Sequence, residues 1–124
     1  MSDIKTRADL EQLVRRFYEK AMQDAVIGFL FTDVANLDLA SHAPVIADFW
    51  EMVLLGGTAY RQNPIPVHLA LNRQSPLTAD HFDRWLTLWK ETVDELFTGN
   101  TAEQAKIRAL SIATVMQTKI YNDR

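Results

Sequence analysis

The chain carries three imidazoles, His42, His68 and His81, and no thiol. The missing cysteine excludes disulfides, thiolate-held zinc, iron–sulfur clusters and thiolate nucleophiles. Chemistry is expected where a polar group interrupts an apolar stripe, and three such places stand out. Tyr18 lies between Val14, Phe17, Ala21 and Met22, so its phenol faces inward and must find a partner. The competing reading is a core tyrosine whose hydroxyl reaches the surface or a backbone carbonyl. His42 precedes Val45 by three and Ile46 by four, in line with Phe49, Trp50 and Val53. It therefore faces inward near the start of a helix, where a satisfied, half-buried histidine is the alternative. His68 sits among Val67, Leu69 and Leu71, just after Pro66.

His42 and His68 are too far apart in sequence for a local zinc motif. No carboxylate cluster accompanies them, since Asp48 and Glu51 point away from the apolar face of their helix. A closed zinc site is poorly supported. A single nitrogen bound to the iron of a large apolar cofactor fits better, because haem needs one axial ligand and an apolar slot. Phe29, Phe31, Phe49, Trp50, Phe82, Trp85 and Trp89 could line such a slot, although an aromatic stripe is more often plain core.

The elements that must position these groups follow from periodicity. Leu10, Leu13, Val14, Phe17, Tyr18, Ala21 and Met22 repeat every 3.6 residues and predict a first helix with Thr6 as its cap. Val45, Ile46, Phe49, Trp50, Val53 and Leu54 predict a second, ending at Gly56-Gly57. Its start is open: Asp38 as cap would leave Pro44 inside, whereas Ser41 would place Pro44 in the tolerated first turn. Pro64 and Pro66 allow only a short element around His68. A third long helix begins near Thr78 with the stripe Phe82, Trp85, Leu86, Trp89, Val93, Leu96 and Phe97, and Gly99 stops it. Thr101-Ala102-Glu103-Gln104 fits a capping box for a last helix bearing Ala105, Ala109, Ile112, Ala113, Met116 and Ile120. The fold class is all-α, a single domain over residues 1–124 with four long helices, one short segment and no convincing strand.

Composition agrees. Only four glycines and four prolines punctuate 124 residues. The net charge is −3, with no basic helix, which argues against a nucleic-acid partner. No apolar run reaches bilayer length and the N-terminus lacks a signal-peptide core, so no membrane association is expected. The expectation is a monomeric cytoplasmic protein.

The ordered set Phe17-Tyr18-Glu19-Lys20, His42 with Phe49-Trp50, Leu54-Leu55-Gly56, Tyr60, Pro64, His68 and His81-Phe82-x-x-Trp85-Leu86 resembles the third group of truncated haemoglobins. The resemblance runs from Leu10 into the last helix. It implies a two-over-two helical sandwich around haem b, with His68 as the iron ligand. Tyr18, His42 and Trp85 would lie on the distal, ligand-binding side, with His42 able to swing outward as a gate. Phe31, Ile46, Phe49, Leu54, His81, Trp85 and Met116 would contact the cofactor, supported by Phe17 and Ile112. Arg73, near His68 in sequence, is the candidate propionate partner.

The implied function is binding of dioxygen and other small diatomic ligands. Several donors in one pocket favour slow ligand release, which suits redox chemistry better than transport. Nitric oxide detoxification and peroxidase-like turnover both fit, with electrons from a separate reductase. A haem-based gas sensor or oxygen-carrier partner domain, or a cofactor-free bundle, are the alternatives.

Overall fold

The computed structural model describes residues 1–123. Five helices follow one another: α1 (Arg7–Ala21), α2 (Leu39–Leu55), α3 (Pro64–Gln74), α4 (Ala79–Leu96) and α5 (Asn100–Asn122). A π-helical turn, Leu30–Val34, lies between α1 and α2. The pair α1–α2 lies over the pair α4–α5: α1 packs on both α2 and α4, and α5 takes α4, α2 and α3. This is the expected all-α, two-over-two arrangement.

The stripes read from periodicity become the core. Leu10, Leu13, Val14, Phe17, Tyr18 and Ala21 of α1 are all buried. On α5 the buried face is Ala102, Ala105, Ala109, Ala113, Met116 and Ile120. Its four alanines let α4 approach closely enough for the Trp89 indole to donate to the Ala105 carbonyl at 3.1 Å. Trp89 is 1% exposed. Truncating a tryptophan buried to that degree costs about 3–5 kcal/mol.

The helix ends hold both agreements and corrections. Thr6 caps α1 in a reciprocal box with Asp9. Thr78 caps α4, and there the reciprocal partner is His81. Gly56 ends α2 in a left-handed conformation, φ 76°, the usual glycine terminus. The helix α2 begins after Asp38, not Ser41, so Pro44 does lie inside it. The expected capping box at Thr101–Gln104 does not form. The cap position is Gly99, which offers no side chain, and the Asp3 carboxylate accepts from the N–H groups of Thr101 (3.0 Å) and Ala102 (2.8 Å) instead. Gly99 is required twice over: its φ is +136°, and a Cβ there would meet the Asp3 carboxyl carbon at 2.5 Å.

The π turn was not expected. Ala35 N–H reaches five residues back to Leu30 and Leu37 N–H reaches Phe31, which turns the chain from α1 toward α2. The segment carrying His68 is also longer than expected, an 11-residue helix opened by Asn63 and Pro64. Asn63 accepts from Ile65 N–H, and proline suits the first turn because its missing N–H has no helical partner there.

Candidate functional site

The helix α3 buries none of its residues. It rests on α5, and its apolar residues Ile65, Leu69 and Leu71 are only half-buried. The other helices present a matching half-covered rim: Phe31, Ile46, Phe49, Val53, Leu54, Trp85, Leu86 and Ile112 pack against the core on one side without being sealed on the other. Incompletely covered apolar residues on α3 and on the rest of the fold are what an apolar cofactor could complete.

The ring of His68 is fixed by its own helix. Its Nδ1 lies 2.7 Å from the Pro64 carbonyl oxygen. A carbonyl can only accept, so Nδ1 carries the proton and Nε2 keeps its lone pair. The bond spans one helical turn, from position 64 to 68, so the proline that starts α3 also supplies the acceptor that orients the ring.

His42 faces the same space. Burial pushes its pKa down, and the His68 imidazole pushes it further in the same direction. The fold thus brings the two rings, 26 positions apart in sequence, within electrostatic reach. The Tyr18 ring stands edge-on to His42 at 5.8 Å and edge-on to Phe31 at 5.6 Å. Tyr18 is 7% exposed, and burial alone pushes its phenol pKa well up, so it stays a neutral donor. Among the described residues its hydroxyl makes no hydrogen bond, and the atom is not sealed from accessible space. Trp85 meets Phe17 at 6.0 Å, and Phe17 meets Tyr18 at 5.3 Å, so Phe17 ties the two donors together. The two α4 tryptophans stack at 6.1 Å and differ in one respect. Trp89 spends its N–H on Ala105, whereas the half-buried Trp85 has no such bond among the described residues.

Ring contacts join Tyr18 to His42, Phe31 and Phe17, and Phe17 to Trp85, while His68 lies within electrostatic reach of His42. Ile46, Phe49 and Leu54 of α2 are partly buried against the core. Met116 sits fully in the α5 core face at 4% exposure, while Ile112, one turn earlier, is half-open. His81 lies in the first turn of α4, outside the ring contacts that join Tyr18, His42 and Phe31. Its Nδ1 accepts from Thr78 N–H at 3.1 Å, and its ring meets Phe29 edge-on at 5.8 Å. Arg73 is committed elsewhere, in a two-pronged pair with Asp123 at 3.1 and 2.8 Å that pins α3 to the end of α5. Tyr60, to which sequence reasoning gave no role, packs on Phe49 at 5.3 Å and brings the α2–α3 loop onto the rim. No local pattern marks that contact. Among the described residues no three metal-ligating side chains gather. No described helix is long and apolar enough to cross a membrane.

Comparison with known proteins agrees with this geometry. The family model of the bacterial-like globins matches residues 3–122. A group 3 truncated haemoglobin of Campylobacter jejuni is 28% identical over 115 residues, covering 90% of this chain and 88% of its own. The crystal structure of the group III truncated haemoglobin from Campylobacter jejuni superimposes with a TM-score of 0.85 at 26% identity, covering 98% of this chain and 96% of the other. Globin membership implies a haem and a small ligand, and the free His68 Nε2 beside an open apolar rim fits that group. The chain belongs to the bacterial-like globin family, in its truncated haemoglobin branch.

Proposed function

We propose that the whole chain, residues 1–124, is one globin domain that binds haem b through His68 Nε2 and takes dioxygen and other small diatomic ligands between the iron and Tyr18, His42 and Trp85. The observation that carries this reading is the His68–Pro64 bond, which fixes the tautomer a ligating imidazole needs and leaves Nε2 as the nitrogen with a lone pair. Phe31, Ile46, Phe49, Leu54 and Trp85 supply the apolar walls, with Met116 behind them. His81 contacts the edge of the group from the start of α4.

When bound, haem supplies an iron with one open coordination position. The residues around that position decide what happens there. Tyr18 O–H and Trp85 N–H are donors without protein partners, already held by Phe17, so they stabilise negative charge on a ligand without first breaking other bonds. Their number favours slow release. The finer reading is redox chemistry, nitric oxide detoxification or peroxidase-like turnover, in a cytoplasmic monomer supplied with electrons by a separate reductase.

The test is spectroscopic. The purified protein, or the chain titrated with hemin, should show a strong Soret band that His68→Ala abolishes or shifts. A chain that neither carries nor takes up hemin overturns the reading.

A further inference from the structure

The helix that carries His42 is fastened unevenly. At its start, Asp38 gives no side-chain cap. Its carboxylate instead accepts from Ser41 Oγ at 3.0 Å. At the other end of this first turn, Pro44 has no N–H, so the Ala40 carbonyl loses its partner one turn back. Residues 39–43 are thus uncapped on one side and short of a ladder bond on the other. His42 lies inside this stretch.

Beyond Pro44 the same helix is gripped by one side chain. Arg7, the first residue of α1, donates from Nη2 to the Pro44 carbonyl at 3.1 Å. Its Nη1 bonds Asp48, and Glu51 at 3.2 Å, and its Nε bonds Glu11 at 3.1 Å. The grip reaches from the proline itself to Glu51, about two helical turns further on. The guanidinium is well suited to this, since its planar fork meets several acceptors at once where an ammonium is a point charge. Upstream of Pro44, the contact between this turn and α1 that involves His42 is the edge of the Tyr18 ring.

We propose that Arg7 is a positioning residue for His42: it anchors α2 from Pro44 onward to the start of α1, so that motion of α2 is confined to the turn 39–43 and carries His42 with it. Arg7 touches no ligand and acts only through where it lets the helix move. The proposal deepens the haem reading given above and rests on it for its kinetic consequence, but the mechanical part concerns the chain alone.

Two experiments test it. The first uses the haem-free chain and amide hydrogen exchange along α2. Residues 39–43 should exchange faster than 45–55. Pro44→Ala, which restores the missing donor, should slow exchange in 39–43, and Arg7→Met should extend fast exchange into 45–51. Uniform exchange along α2, or no spread in Arg7→Met, overturns the proposal whether or not the chain binds haem. The second uses hemin-loaded, reduced protein and carbon monoxide recombination after a light flash. Arg7→Met should change the association rate by roughly fivefold with His42 present, and by less than about twofold in the His42→Ala background, as expected for coupled residues. An equal change in both backgrounds means Arg7 does not act through His42 and overturns the assignment. Should Arg7→Met fold poorly, Asp48→Ala with Glu51→Ala removes two of the acceptors while keeping Arg7, and the same background comparison applies. Failure of hemin uptake by the unaltered chain sinks the haem reading and leaves the exchange experiment to decide this one.

Discussion

Tyr18 and Trp89 are both buried aromatics with a polar handle, yet they face different demands. The Trp89 N–H is satisfied by the Ala105 carbonyl, so Trp89 belongs to the core. Among the described residues the Tyr18 hydroxyl and the Trp85 N–H make no hydrogen bond, and under the proposed function they are the donors to a ligand. Tyr18→Phe and Trp85→Phe should therefore each speed dioxygen dissociation, by roughly tenfold for loss of one good hydrogen bond of about 1.4 kcal/mol. Stopped-flow displacement measures this, and unchanged rates in both variants would sink the distal assignment. Trp89→Phe should lower thermal stability and leave the off-rate within about twofold, because what it removes is packing and an interhelical bond. At this scale the sequence was legible wherever a side chain's role depended on its own helix face. Tyr18, His42 and His68 were found because they break apolar stripes. The division of labour between Trp85 and Trp89 was not visible, since both share one stripe and only the approach of α5 decides which N–H is used.

Among the elements, the helix boundaries divide by how far apart their determinants lie. Thr6 with Asp9 and Thr78 with His81 cap their helices locally, and those starts could be read directly. The start of α5 could not. Its cap is Asp3, 98 positions before Thr101, and the local Thr101–Gln104 pattern is outcompeted because Gly99 turns the chain onto that carboxylate. Arg7 and its acceptors on α2 are likewise 41 and 44 positions apart. Two expectations follow. Asp3→Ala should lower stability by about 1 kcal/mol, the cost of a lost cap, read as a fall in the denaturation midpoint. Gly99→Ala should cost more, about 1–3 kcal/mol, because it adds backbone strain to a steric clash with the same carboxylate. A Gly99→Ala variant as stable as the parent would contradict the positive φ.

Across the whole molecule the ion pairs tie distant parts of the chain together. Arg84 on α4 bonds Asp24 at 2.8 Å, and Asp24 also accepts from Val26 and Ile27 N–H in the turn after α1. The Arg84 bond, with those backbone donors, holds the Asp24 carboxyl below the usual carboxylate range. For Asp3, burial pulls the pKa up, but the Thr101, Ala102 and Ile4 N–H groups outweigh it and the net shift is again downward. Groups with depressed folded pKa values bind fewer protons folded than unfolded between the two values. Their stabilisation is therefore complete above the unfolded carboxylate value, about 4, and is lost as pH falls through the folded value. Urea midpoints measured against pH should fall below about pH 4, and Asp24→Asn should flatten that fall. A profile unchanged in Asp24→Asn would remove this pair from the account of acid sensitivity.

The helix α3 carries His68, the imidazole proposed as the iron ligand, and has no fully buried residue. A segment in that position has little to lose by detaching, and detached segments are where proteases cut. The cofactor then serves as the missing wall of the protein, and its binding energy adds to folding by mass action. Trypsin offers the measurement, since Arg61 precedes the helix and Arg73 lies in its last turn. The haem-free chain should be nicked there first, and hemin should protect it. In a cell short of haem, the amount of this protein would be set by that first cut rather than by its rate of synthesis.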